Sequence, residues 1–340
     1  MKNETTATPE QAPHGPTYKF IFAEHLAENT PQIVEALQDC DVVALEMEDV
    51  PDQNFREKLD MFFTEAVKSE PDPAFKQAAD EMLQEAEDEN DTDGLFLKGM
   101  LQGLAGSDKQ IVTMGRNLDQ PDELRQEAQM ATMTWFAFRH TQAPHDSARK
   151  ALADHLTALG RDMPGREEIM ANILRALPEK QGLADDKVVG VVLGATHTGV
   201  QHGMSKDFST QRVFVGGDQG YTLRAGEKKR FGEGDTAVRS LRFNREAQIA
   251  GPVLNRIMLT EAYADTDTFM PEAGQATVHD KARATRRAET YVKNMDDEQV
   301  AAQLEEIDVL RAALLGHPAS TIAREIKERL EQKLSEREQQ

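Results

Sequence analysis

Two histidines, one glutamate and one arginine carry the chemistry that this sequence can offer. His197 closes the run Lys187-Val-Val-Gly-Val-Val-Leu-Gly194-Ala-Thr-His197. His25 follows Tyr18-Lys-Phe-Ile-Phe22, Glu46 ends Asp41-Val-Val-Ala-Leu45, and Arg166 stands two residues after Pro164. Two imidazoles and a carboxylate can hold zinc, manganese or cobalt with one position left for water. The metal then lowers the pKa of that water and makes it a nucleophile near neutral pH. Without metal, a His–Glu pair acts as a general base, the carboxylate fixing the imidazole tautomer. In either scheme Arg166 supports the carboxylate or a developing oxyanion. Packing or capping explains each of these side chains taken singly; chemistry requires that the four converge.

What must position them is an α/β fold, a core of mostly parallel strands with a large helical insertion and a helical C-terminal region. Val188 to Gly194 holds only valine, leucine and glycine, the composition of a strand buried on both faces of a parallel sheet. Ligands in such sheets bind beyond the carboxyl ends of the strands, where Gly194-x-x-His197 delivers its histidine. Residues 18–22 and 41–45 read as strands joined by a helix opened by Thr30-Pro31. This β-α-β unit predicts parallel neighbours, with His25 and Glu46 arriving on the same edge. A further strand is expected at 110–114 and another at 211–215. Helices are expected from 54 to about 87, over 95–104, from 121 to about 140 and over about 146–159, the last ending at Gly160. Pro164 is read as the start of the next helix, so that Arg166 begins it. Residues 243–263 and two amphipathic stretches at 300–314 and 322–334 complete the helical part. The domain reading is a disordered tail at 1–17, a core at 18–260 with its insertion at about 51–180, and a C-terminal helical region at 261–340.

Composition narrows the function classes. The 340 residues carry a formal net charge of −21, which argues against general nucleic-acid binding and against adsorption to anionic membranes. The basic clusters at Lys228, Lys229 and Arg230 and at Arg283, Arg286 and Arg287 read as solvated surface. The six carboxylates between Glu85 and Asp93 read as a solvated loop without the glycine turn of a calcium site. Gly216-Gly-Asp-Gln-Gly220 reads as a turn, because it lacks the Lys and Ser/Thr ending of a phosphate loop. Cys40 is the only cysteine, so no internal disulfide forms, and it reads as a small buried residue. No apolar run is long enough to span a membrane, and a cytoplasmic protein is the expectation. The charged, narrow stripe of the last helix suits docking on the body or pairing in a homo-oligomer.

Four stretches together resemble the superfamily that contains the TraB and pheromone-shutdown proteins, the Tiki/GumN-type proteins, the erythromycin esterases and the ChaN-type proteins. Phe-Ile-Phe-Ala-Glu-His25 resembles its first histidine motif, with Phe22 where the family has glycine. Val-Val-Ala-Leu-Glu46 is similar to its glutamate strand. Gly-Arg166-Glu-Glu-Ile-Met-Ala-Asn-Ile is similar to the arginine helix of the TraB branch. Gly194-Ala-Thr-His197-Thr-Gly is similar to its second histidine motif. The resemblance spans roughly 18–200. It implies metal-dependent peptidase activity as in the Tiki-like branch, lactone hydrolysis as in the esterases, a regulatory role as in the TraB branch, or haem-related binding as in the ChaN type. The resulting expectation is a metal-dependent hydrolase of a peptide or small molecule, with His25, Glu46 and His197 as metal ligands and Arg166 beside them. The alternative is a TraB-like regulatory or ligand-binding protein using the same pocket.

Overall fold

In the computed structural model, five parallel strands form one sheet in the order β3-β2-β4-β1-β5. The structure describes residues 15–23, 25, 27–47, 49–88, 92–119, 122–139, 145–194, 196–215, 237–238, 241, 248–268, 288–289, 291–313, 321, 324–326, 328–329 and 332. The strands are β1 (Thr17–Ala23), β2 (Val42–Glu46), β3 (Gln110–Met114), β4 (Val188–Gly194) and β5 (Thr210–Phe214). Between them run α1 (Thr30–Ala36), α2 (Gln53–Ala66), α3 (Pro73–Asp88), α4 (Thr92–Leu104), α5 (Glu123–Arg139), α6 (His145–Gln181) and α7 (Thr198–Met204). Two further helices, Gly251–Thr268 and Asp297–Ala313, follow β5.

The expectation that β1 and β2 pair directly is corrected. They are parallel, but β4 lies between them and pairs with both. The reason is burial. β4 has no polar side chain, so it takes the centre of the sheet, where both faces are covered.

One face of the sheet is built from alternate residues: Tyr18, Phe20 and Phe22 of β1, Val42 and Ala44 of β2, and Val189, Val191 and Leu193 of β4. They pack with Met170, Ala171, Leu174 and Leu177 of α6 and with Val200 and Met204 of α7. The Tyr18 hydroxyl donates to the Leu174 carbonyl at 2.7 Å, which fixes α6 along β1. On the other face the segment that follows α1 comes so close that a Cβ at Gly190 would lie 2.3 Å from Leu37 Cδ2 and 2.8 Å from Cys40 Sγ. α2 is pinned to β3 by polar contacts. Asp60 accepts from both the backbone N–H and the hydroxyl of Thr113, each at 2.7 Å. Arg56 donates to the Gly115 carbonyl and to Asn117 Oδ1. Burial pushes the Asp60 carboxyl up.

The chain forms two compact units. The sheet belongs to the first, made of 1–80, 98–119 and 166–217. The second comprises 81–97, 120–165 and 218–340. These units cut across the division at 260/261 read from the sequence, and residues of the insertion fall in both. The second unit has its own apolar core, in which Trp135, Leu152 and Leu156 join Leu259, Tyr263, Val300, Leu304 and Ile326.

Several helix boundaries also differ from expectation. α6 runs unbroken from His145 to Gln181, through Gly160 and Pro164, so Arg166 lies inside a helix rather than at its start. Gly160 is not a cap; a Cβ there would sit 2.6 Å from Leu241 Cβ, so the glycine serves a close contact. An interior proline costs about 3 kcal/mol, and the buried stripes on either side of it offset that cost. Glu85 to Asp88 continue α3, and Thr92 opens α4; residues 89–91 of that acidic stretch lie outside the described residues. So do the glycines and basic clusters between 216 and 236 and at 283–287, the tail 1–14, and most of 314–340. Ile326 is buried in the second unit's core, so this part of the last helix docks on its own chain. Cys40 is buried, as expected. Among the described residues no helix is long and apolar enough to cross a membrane.

Gly190→Val should destabilise the sheet unit by about 1–3 kcal/mol through overpacking against Leu37 and Cys40, read as a lower urea midpoint. An unchanged midpoint would contradict the close approach of Leu37 and Cys40 to β4.

Candidate functional site

The site forms where β1, β4 and β2 end side by side. Glu46 is the last residue of β2, His25 lies two residues beyond β1, and His197 lies three residues beyond β4. His197 is placed by a tight turn, its backbone N–H donating to the Gly194 carbonyl at 3.0 Å, and α7 begins immediately after it. α6 passes over the same edge and supplies Arg166. The sheet unit therefore brings together all four residues singled out by the sequence.

Glu46 is the hub. Its side chain is only 6% exposed. Oε1 accepts from Arg166 Nη2 at 3.0 Å and lies 3.2 Å from His197 Nε2. Oε2 accepts the Gly194 backbone N–H at 2.7 Å and lies 3.8 Å from His25 Nε2. Glycine at 194 makes this possible, since a Cβ there would approach Oε2 to 3.3 Å. Burial would raise the Glu46 pKa. His197, through its charge and its hydrogen bond, then His25 and Arg166 more than reverse that effect and hold the carboxyl well below the usual range.

The members differ in access. His197 is 9% exposed, His25 22% and Arg166 32%. A ligand arriving from solvent thus meets an imidazole and a guanidinium, with the carboxylate behind them. His202 projects from α7 as an exposed residue and is not among the groups around Glu46. Glu24 and Glu48, close by in sequence, lie outside the described residues.

The donor types suit a divalent metal, since two Nε2 atoms face one carboxylate. In this structure three of the roughly four acceptor directions of the carboxylate are taken by Arg166, His197 and the Gly194 N–H, and His25 Nε2 stands 3.8 Å from Oε2. A cation bound to Oε1 would have to displace the guanidinium or His197. Among the described residues, no three acidic, histidine or cysteine side chains are arranged to hold a metal ion.

One residue of this neighbourhood was not singled out by sequence reasoning. Glu167, beside Arg166, is 4% exposed. Its Oε1 accepts the Gly199 N–H at 3.0 Å and lies 3.9 Å from His197 Nδ1. The signal was present in the helical spacing. Positions 167, 170, 171 and 174 share one face of α6, and the last three are apolar core residues, so the first is an acid on a buried stripe.

Comparison with known proteins gives no match to a family model, to a curated protein or to a solved structure.

Glu46→Gln should cost about 1–3 kcal/mol, because it leaves the Arg166 guanidinium without its anion and offers the Gly194 N–H and His197 a weaker acceptor. The sign with pH follows from the lowered pKa. The stabilisation is complete above the ordinary carboxyl value of 4.5 and disappears as pH falls below it towards the folded-state value. Chemical denaturation at a series of pH values below 4.5 should therefore show the gap between wild type and variant closing as pH falls.

Proposed function

We propose that the chain is a hydrolase acting on an acyl bond of the ester or peptide class, with its active site at Glu46. The observation that carries this reading is the convergence of His25, His197 and Arg166 on one buried carboxylate at the ends of three adjacent parallel strands. The resemblance to superfamily branches that hydrolyse peptides and lactones points the same way.

The division of labour follows from access. A general base must touch the attacking water, so that role goes to His25, the more exposed of the two histidines. Its ring faces Glu46, and in this reading it takes a proton from water as the oxygen bonds to the acyl carbon. Glu46 stabilises the resulting imidazolium, as a carboxylate does in a catalytic triad. Arg166 spends one N–H on Glu46 and can turn others to the oxyanion of the tetrahedral intermediate. The proton on His25 then passes to the leaving oxygen or nitrogen as the acyl bond breaks. His197 remains in place and holds Glu46. This is the metal-free version of the chemistry, and no step is routed through a cation.

A second reading, binding of an anionic ligand without turnover, is favoured by the exposure of Arg166. Both readings use the same side chains and differ in outcome.

Turnover of a panel of p-nitrophenyl esters and peptide amides should fall at least about a hundredfold in His25→Ala and Arg166→Met. Metal analysis by mass spectrometry should find no stoichiometric metal in active protein. Stoichiometric zinc, manganese or cobalt in the wild type, lost in His25→Ala, Glu46→Ala and His197→Ala alike, would overturn the metal-free mechanism. Thermal stabilisation by carboxylates with no turnover of any substrate would overturn the hydrolase reading in favour of the binder.

A further inference from the structure

We infer that Glu167 is a positioning residue of this site, holding His197 so that His197 can hold Glu46. The inference rests on the reading of Glu46 as the centre of an active site. It adds a member that lies one shell further in, and it gives His197 a fixed role.

A carboxylate this deeply buried must be compensated by donors. Glu167 Oε1 takes the backbone N–H of Gly199, in the first turn of α7, at 3.0 Å. The same oxygen lies 3.9 Å from His197 Nδ1. On the far side of the ring, Nε2 lies 3.2 Å from Glu46 Oε1. The imidazole thus has a carboxylate oxygen facing each nitrogen, and one of those carboxylates also fixes the backbone two residues further on. Ring and main chain of His197 are referred to the same atom. The Nδ1 distance exceeds that of a hydrogen bond in this structure, and catalytic hydrogen bonds commonly tighten when substrate binds. α6 links the two ends of this line, because Glu167 adjoins Arg166, which donates to the same Glu46 oxygen that faces His197. A shift of α6 would therefore disturb the Arg166–Glu46 and Glu167–His197 contacts together.

The competing role is simple capping of α7 by Glu167 through Gly199 N–H. Glu167→Gln separates the two, because the amide keeps an acceptor oxygen for Gly199 and loses the charge facing His197. Imidazole nitrogens are observed by 1H–15N NMR, with His197 assigned from its loss in His197→Ala. In the wild type both His197 nitrogens should carry protons, Nε2–H directed at Glu46 and Nδ1–H at Glu167. In Glu167→Gln, the Nδ1 resonance should move while those of His155 and His202 stay. On a p-nitrophenyl ester turned over by the wild type, kcat should fall about tenfold with KM unchanged, as for loss of an orienting residue. An unprotonated His197 Nδ1 in the wild type overturns the inference without any variant at 167. So does Glu167→Gln with wild-type resonances, with only Glu167→Ala affected and only in stability. If the wild type turns over neither ester nor peptide amide, the hydrolase reading fails by itself, and the nitrogen spectrum still decides the role of Glu167.

Discussion

The structure depends on the burial of one carboxylate. Taking an ionised Glu46 out of water carries a penalty of several kcal/mol, repaid only if its oxygens are met by donors in good geometry. Those donors come from four separate places: the turn after β4, the middle of α6, the start of α7 and the loop after β1. Gly194 is 148 residues from Glu46 in the chain and Arg166 is 120 residues away. Sheet order, the glycine that ends β4 and the rotation of α6 about its axis must all be right before the charge is compensated. The cluster thus specifies the arrangement of its surroundings as much as it is held by them.

A second polar anchor works differently. Asp60 and Arg56 on α2 grip the end of β3 through backbone atoms and through Thr113 and Asn117. Here burial pushes the acid's pKa up, whereas Glu46 is driven down by its basic neighbours. The contrast marks one cluster as a fastening and the other as a charged centre with two of its members open to solvent.

Much of the sheet was legible in the sequence because each strand is a short apolar run, and the residue that ends such a run is fixed at the sheet edge by adjacency alone. That is why His25, Glu46 and His197 could be named together. The position of β4 between β1 and β2 was not legible from the β1-α1-β2 segment, since nothing local to it reveals which later strand will take the centre. Gly160 and Pro164 misled in another way. They are punctuation by propensity, but packing against Leu241 and against the sheet overrode it. Glu167 was hidden by its own charge, which reads as surface until the apolar residues at 170, 171 and 174 are placed on the same face. Arg166 was legible only as part of a motif, and its location inside a long helix had to come from tertiary structure.

The central place of β4 has a consequence for how the chain acquires its shape. β1 and β2 are made early, yet they cannot pair with each other in the native register; a slot of one strand's width, about 4.8 Å to each side, must wait for β4. More than 140 residues separate β2 from the strand that fills it. During synthesis, therefore, two apolar strands stand with open edges until residue 194 has emerged. Such delayed, long-range closure is slow and leaves strand edges exposed to other chains. The entry of β4 between β1 and β2 is also the step that brings Gly194 N–H to Glu46, so the interior charge is compensated only in molecules whose central strand has entered correctly.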